Sequence, residues 1–156
     1  MAFTIGSEDF NPGEPIPSRY TCDGEDISPS LAWEGQPENT ASFVLILDDP
    51  DAPRGVFTHW VVYDIPANTN ELPEAVPATD RLEAGGLQGN NSWNKLGYNG
   101  PCPPGGPAHH YHFKLYALDV PTLTLTPRQS KERVLNAIQG HILAQTEVIS
   151  SYQRGG

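Results

Sequence analysis

The hydrophobic pattern of this chain predicts a mainly β protein organised around one central strand. The five residues from Phe43 to Leu47 are all apolar. An unbroken apolar run of this kind is typical of a strand that is buried on both faces. We therefore expect this strand to lie inside the protein core.

Alternating side chains predict two further strands, and period two assigns the faces of each. In the segment 59–65, one face comprises His59, Val61, Tyr63 and Ile65. In the segment 109–119, one face comprises His109, Tyr111, Phe113 and Leu115. The opposite face of the latter comprises His110, His112, Lys114 and Tyr116. Only His110 and His112 share a face as a metal pair, and no third ligand is spaced to join them, so we expect neither a metal nor a cofactor.

Shorter elements are expected towards both ends of the chain. Residues 3–5 and 28–33 are typical of short strands. Thr126-Pro127-Arg128-Gln129 fits a capping box with Thr126 as N-cap, which predicts one helix near 127–139. After Gly140, β-branched residues favour a strand over a continued helix. The segment 68–100 is rich in breakers and is expected to be mostly loop.

Length, composition and charge limit the classes of protein that fit. The 156 residues suit a single domain, 1–156, and the 16 Pro and 15 Gly indicate many turns between short strands. The formal net charge of −10 argues against nucleic acid or an anionic membrane surface as main partner. No apolar stretch approaches about 20 residues and no signal peptide is visible, so we expect no stable membrane insertion and a cytoplasmic location.

The cysteine content leaves two alternatives. Cys22 and Cys102 are the only cysteines, which allows one disulfide and no cysteine-only metal site. In a reducing cytosol free thiols are the default expectation. Both residues lie in predicted turns, so a disulfide between them is the alternative.

An acidic loop follows the central strand. Asp48, Asp49 and Asp51 place three carboxylates within four positions. Pro50 and Pro53 fix φ and remove two backbone donors, so we expect a rigid loop. A rigid loop at the end of a buried strand suits a binding site, and a solvated acidic turn is the alternative interpretation.

Several motifs follow one another along the chain in a recognisable order. They are Asp49-Pro50-Asp51-Ala52-Pro53, Thr58-His59-Trp60, the glycine- and proline-rich segment 97–105, and His109-His110-Tyr111. In this order they resemble the signature regions of the phosphatidylethanolamine-binding protein family. Thr21-Cys22-Asp23-Gly24 and Gly140-His141-Ile142-Leu143-Ala144 are similar to its bacterial and archaeal Raf-kinase-inhibitor-like branch. The resemblance covers nearly the whole chain.

The resemblance implies two packed antiparallel β-sheets with few peripheral helices. It also implies a small pocket that accepts phosphate, phosphorylated head groups or acetate-like anions. Carried over to this sequence, the ligand-binding residues are Asp49, Asp51, His59, Gly100, Cys102, Pro103, Pro104, His109 and Tyr111. Two departures are His110, where the family often has Arg, and the short link 54–58, where longer members insert aromatics at the pocket mouth. The second departure predicts a wider mouth.

The chemistry of these residue types independently supports an anion site. His59 and His109 come from different strands, and each imidazole becomes a charged donor when it is protonated. Tyr111 offers a neutral hydroxyl, and the loop lets the Cys102 N–H approach a ligand. Asp49 is expected to orient an imidazole and raise its pKa. Anion binding should therefore tighten as the pH falls towards about 6.

The sequence favours binding over catalysis. No Ser or Cys lies in a nucleophile motif, and Cys102 has no sequence-adjacent base, although a pocket histidine can serve as one. We therefore assign no catalytic residue and expect a small-anion-binding protein with a regulatory role. The main alternative is a protease or kinase inhibitor that acts by protein contact, with 68–93 as the only loop long enough for a protease cleft; a hydrolase is less favoured. The resemblance alone implies a homodimer.

Overall fold

A computed structural model describes residues 2–154, which form two antiparallel sheets and one α-helix, as expected. In chain order the strands are β1 (Thr4–Gly6), β2 (Leu31–Glu34), β3 (Ser42–Asp49), β4 (Phe57–Pro66), β5 (Glu71–Leu72), β6 (Leu87–Gln88), β7 (His109–Leu118) and β8 (Ile142–Tyr152). The smaller sheet has the order β1-β2-β5, and the larger has the order β6-β4-β3-β7-β8. A single 3₁₀ turn covers Ser18–Tyr20, and helix α1 covers Lys131–Ile138.

The central strand β3 contributes to two cores, one on each side of the larger sheet. Its alternate residues Phe43, Leu45 and Leu47 lie in the main core, which residues of both sheets share. Val44 and Ile46 lie in a second core, between the sheet and α1. All eight residues of β3 are buried, which confirms the prediction of a strand covered on both faces.

The predicted faces of β7 are confirmed, but those of β4 are wrong in part. Asp48 pairs with Thr58 and Leu47 with Trp60, so His59 is an extra residue between two paired positions. A second irregularity lies near Asp64, which has a φ of 55°. The main core therefore receives Trp60, Val62 and Ile65, whereas Val61 and Tyr63 enter the core below α1. Strict alternation cannot predict such bulges, which commonly re-aim a side chain beside a functional site.

Helix α1 is confirmed, but the predicted N-cap is wrong. The hydroxyl of Ser130, not of Thr126, accepts the N–H of Arg133 at 3.2 Å. Arg128 has a φ of 70°, so the chain cannot be helical there. The Gln129 side chain donates to the Thr126 hydroxyl at 2.7 Å instead of closing a capping box. The strand expected after Gly140 is present as β8.

The long segment 68–100 is mostly loop, as expected, and is held down by the short strands β5 and β6. β5 pairs with β2, and β6 pairs with β4. The part of the chain that the structure describes contains no helix long and apolar enough to cross a bilayer.

Candidate ligand-binding site

A cavity of about 220 Å³ opens at one end of the larger sheet. Here β3 ends at Asp49, while the neighbouring strands β4 and β7 begin at Phe57 and His109. Three adjacent strands and the loops beyond them therefore supply the lining. The lining residues are Asp49, Ala52, Pro53, Phe57, His59, Trp93, Cys102, Pro103, Pro104, His109 and Tyr111.

The cavity brings together all the predicted site residues except Asp51 and Gly100. Asp51 lies outside the lining and accepts both the backbone N–H and the ring Nδ1 of His110, each at 2.8 Å. Gly100 donates its N–H to the Asp26 carboxylate at 2.7 Å. A Cβ at Gly100 would lie 2.1 Å from the Tyr20 carbonyl oxygen, so only glycine fits there. These two residues support the loops around the cavity.

Asp49 and His109 form a buried pair in the cavity wall. Oδ2 of Asp49 lies 2.7 Å from Nδ1 of His109, and Oδ1 accepts the backbone N–H of Asp51 at 2.8 Å. A carboxylate can only accept, so the His109 Nδ1 carries the hydrogen. The ring orientation is thereby fixed, and Nε2 is the ring nitrogen left to contact a ligand.

His59 is held in the same way by a different acceptor. Its Nδ1 donates to the carbonyl oxygen of Asn99 at 2.8 Å, which again leaves Nε2 for a ligand. Burial lowers the pKa of His59 below its usual range, and the Asn99 carbonyl and the charge of Asp49 only partly oppose this. The net effect is a lowered pKa, so His59 is neutral at neutral pH although the charge of Asp49 acts to raise its pKa. Its Nε2 donates only after it gains a proton.

Tyr111 completes the polar part of the wall. Its hydroxyl is buried and has no hydrogen-bond partner among residues 2–154. Burial, reinforced by the charge of Asp49, raises the pKa of this phenol well above its usual range. Tyr111 therefore stays protonated and can donate to a ligand.

Two aromatic side chains outside the set of predicted site residues form the apolar part of the wall. Phe57 and Trp93 pack edge to face with ring centroids 4.5 Å apart, and Trp93 lies 5.2 Å from the His59 ring. Trp93 is 40% exposed, so it stands at the cavity mouth. The only sequence signal for it was its position in a long loop. Aromatic residues thus line the mouth although the link 54–58 is short.

A disulfide joins Cys22 to Cys102, so the expectation of free thiols is wrong. Two contacts bring these turns together: the Cys22 N–H donates to the Pro101 carbonyl at 3.1 Å, and the Tyr98 hydroxyl donates to the Tyr20 carbonyl at 2.6 Å. The disulfide anchors the loop that supplies Cys102 to Pro104 to the cavity. It also removes the Cys102 thiolate as a nucleophile.

The packed antiparallel sheets and the cavity at the ends of three adjacent strands define a β-sandwich protein with a small, partly polar pocket. The chain belongs to the phosphatidylethanolamine-binding protein family, because that family's sequence model matches residues 6–153. The family resemblance drawn from the motifs is thereby confirmed.

Two relatives and one solved structure are similar to the chain over most of its length. The chain is 53% identical over 146 residues to a UPF0098 protein of Methanothermobacter thermautotrophicus, covering 94% of this chain and 95% of that one. It is 53% identical over 151 residues to a UPF0098 protein of Aquifex aeolicus, covering 96% and 88%. The crystal structure of Escherichia coli YbcL, described as a new member of the mammalian PEBP family, superposes with a TM-score of 0.90 at 34% identity and covers 97% of this chain and 98% of that one.

Proposed function

We propose that the cavity binds a small anion, such as phosphate or a phosphorylated head group, and that this binding serves a regulatory role. The observation that carries the proposal is the matched arrangement of His59 and His109. Each ring has its Nδ1 bonded to a protein oxygen, at 2.8 and 2.7 Å. Both rings therefore have Nε2 left for one ligand in the same cavity.

The size of the cavity supports a small ligand. Drug-sized ligands occupy pockets of about 300–1,000 Å³. The volume here is about 220 Å³. A phosphate-sized group can fill the polar end, between the histidines and Tyr111. Any attached group would extend past Trp93 towards solvent.

Both carboxylate oxygens of Asp49 are engaged by protein donors, although the group keeps its negative charge. One of its oxygens faces the His109 ring and the other accepts the Asp51 N–H. Hydrogen bonds thus occupy both carboxylate oxygens. Binding an anion next to neutral His59 then requires one proton, carried either by the imidazole or by the ligand itself.

Isothermal titration calorimetry with inorganic phosphate and phosphoethanolamine tests the proposal. His59→Asn keeps an amide donor near the Nδ1 position but removes Nε2. Loss of a charge-assisted hydrogen bond of about 1.5–3 kcal/mol should weaken binding by about 10- to 150-fold. His141→Asn is the matched control, because His141 lies outside the cavity and bonds Asp119 through Nδ1 at 2.9 Å. Equal affinity of the wild type and His59→Asn would contradict the proposal, as would the absence of binding at millimolar anion.

The proposal is for binding without turnover, supported by the absence of a free thiol at Cys102. Release of phosphate from a phosphomonoester by the purified protein would favour the hydrolase alternative instead. The inhibitor alternative is a second hypothesis, supported by the exposed side chains of Val56 and Trp93 near the cavity mouth. Inhibition of a serine protease that Trp93→Ala abolishes would favour it.

A further inference from the structure

The side chain of Asn91 makes four hydrogen bonds directly behind the cavity wall, although it does not line the cavity itself. The residue is 5% exposed. Its Oδ1 accepts the backbone N–H of Trp93 at 3.0 Å and that of Lys95 at 3.3 Å. Its Nδ2 donates to the Gly97 carbonyl at 3.1 Å and to Oδ1 of Asn99 at 2.9 Å. Two donors therefore face the amide oxygen and two acceptors face the amide nitrogen, which fixes the orientation of the group.

Asn99 connects this amide to the ring of His59. The carbonyl oxygen of Asn99 accepts Nδ1 of His59 at 2.8 Å, and the N–H of Asn99 donates to the His59 carbonyl at 3.3 Å. The side chain of Asn99 is held by Asn91. Two consecutive hydrogen bonds, of 2.9 and 2.8 Å, therefore lead from the buried amide to the imidazole.

The loop that carries Asn91 is also fixed to β4 at the residue before His59. The Ser92 N–H donates to the Thr58 carbonyl at 2.8 Å, and the Thr58 N–H donates to the Ser92 hydroxyl at 2.8 Å. Neither bond uses the Asn91 side chain. Replacing that side chain is therefore expected to break the contact with Asn99 without releasing the loop from the strand.

The position of the Asn99 carbonyl decides which nitrogen of His59 carries the hydrogen. A carbonyl oxygen can only accept, so it holds the neutral ring as the Nδ1–H tautomer and leaves a lone pair on Nε2. Of the backbone groups that raise the pKa of this ring, Asn99 contributes more than Gly100. A ring that loses its bond to Asn99 can place the hydrogen on Nε2 instead.

We propose that Asn91 is a positioning residue for the anion site, and that it acts by holding the Asn99 carbonyl against Nδ1 of His59. This role rests on the proposed function, because it prepares the ring to receive a proton and an anion at Nε2. Asn91 also holds the backbone of Trp93, whose ring lies 5.2 Å from that of His59. One buried amide thus positions both the polar and the aromatic parts of the cavity wall.

Long-range proton–nitrogen correlation NMR on the free protein tests the first step, at about pH 8, where an imidazole of ordinary pKa is neutral. Wild-type His59 should be the Nδ1–H tautomer. Asn99→Ala removes the acceptor Oδ1 but keeps the backbone carbonyl, and it should shift the tautomer ratio about two- to tenfold towards Nε2–H. Asn91→Asp removes the same bond from its other end and should shift the ratio in the same direction. It keeps the acceptor for Trp93.

Asn90→Ala is the matched control, because Asn90 precedes Asn91 and its amide donates to the exposed Asn94 side chain at 3.3 Å. The tautomer ratio of His59 should not change in this variant. An Nε2–H ring in the wild type would overturn the inference, as would a ratio that neither Asn91→Asp nor the uncharged Asn99→Ala changes.

Calorimetry with inorganic phosphate tests whether the effect reaches the ligand. Asn99→Ala should weaken binding about two- to tenfold, whereas Asn90→Ala should not. Because Asn99 acts through the ring, adding Asn99→Ala to His59→Asn should weaken binding no further. Additive losses would indicate a general structural effect and would overturn the inference. If the wild type bound no phosphate but showed the tautomer shift, the proposed function would fail and the link from Asn91 to His59 would stand.

Discussion

The buried amide of Gln88 holds the indole of Trp60, the residue next to His59. The Trp60 Nε1–H donates to the Gln88 Oε1 at 2.8 Å. The amide nitrogen of Gln88 donates to the carbonyls of Pro77 and Thr79 at 2.7 and 2.9 Å. One side chain therefore ties the long loop 68–100 to the strand that carries His59.

Replacing this amide should destabilise the fold. Gln88→Leu has similar size but leaves the Trp60 N–H and two carbonyls without partners. Each buried polar group that loses its partner costs about 1–3 kcal/mol, so the free energy of unfolding should fall by at least about 3 kcal/mol. Urea denaturation measures the loss. Gln153→Leu is the matched control, because Gln153 is exposed and its amide donates to the Gly106 carbonyl at 2.8 Å. A loss below that of the control variant would show that the Gln88 network is not structural.

Anion affinity should depend on pH through His59. Burial lowers the pKa of this imidazole, so the free protein carries a neutral ring at neutral pH. Binding a fully deprotonated anion to its Nε2 requires proton uptake, and each unit of pH increase should weaken binding by up to about tenfold.

Calorimetry with sulfate and phosphate at about pH 6, 7 and 8 measures this dependence, and buffers with different ionisation enthalpies count the protons. Sulfate carries no proton in this range, so a slope with sulfate places the proton on the protein. His59→Asn should flatten the sulfate slope. An affinity for both anions that does not change with pH would contradict the role given to His59.

Removing the disulfide should weaken both the fold and the site. Cys22 and Cys102 are 80 residues apart, and a cross-link of that span stabilises by about 4.5 kcal/mol in the chain-entropy model. The double variant Cys22→Ser, Cys102→Ser should unfold at lower urea and bind anions more weakly, because the loop 102–104 loses its anchor. Dithiothreitol should reproduce the shift in the wild type and leave the variant unchanged. After reduction, thiol titration should find two free thiols in the wild type. If the urea midpoint of this reduced protein were unchanged, the expectation would be contradicted.

Most of the architecture could be predicted because it depends on local patterns. The apolar run of β3 follows from its burial on both faces. The alternation of β7 follows from its burial on one face. The faces of β4 could not be predicted, because the extra residue at His59 depends on pairing with a strand elsewhere in the chain. The start of α1 was misplaced because Arg128 has a φ of 70°, which the capping box at Thr126 does not reveal, and the helix begins only after Ser130.

The residues of the site also differ in how well the sequence could place them. Asp49, His59 and His109 belong to motifs whose order carries the family resemblance, so sequence could place them together. Trp93 reaches the cavity from an irregular loop, where the Asn91 side chain accepts its backbone N–H at 3.0 Å. A contact of this kind leaves no periodic pattern in the sequence. The disulfide likewise depends on two turns that meet only in the folded chain, and the expected cytosolic location favoured free thiols.

The hydroxyl of Tyr111 separates a binding role from a structural one. Because this hydroxyl is buried and has no partner in the described part of the chain, removing it should not cost stability. Tyr111→Phe should unfold at the same or a higher urea concentration, with a gain of up to about 1 kcal/mol. If the hydroxyl donates to the bound anion, the same variant should bind phosphate about 10- to 150-fold more weakly, which corresponds to a hydrogen bond to a charged group of about 1.5–3 kcal/mol.

Tyr98→Phe supplies the matched control, because that buried hydroxyl donates to the Tyr20 carbonyl at 2.6 Å. Its removal leaves the carbonyl without its partner and should cost about 1–3 kcal/mol of stability. The two variants are therefore expected to have opposite effects on stability, which urea denaturation measures. Phosphate calorimetry measures the effect of each variant on binding. If Tyr111→Phe lost as much stability as Tyr98→Phe and kept its affinity for phosphate, the hydroxyl of Tyr111 would be structural and would not contact the ligand.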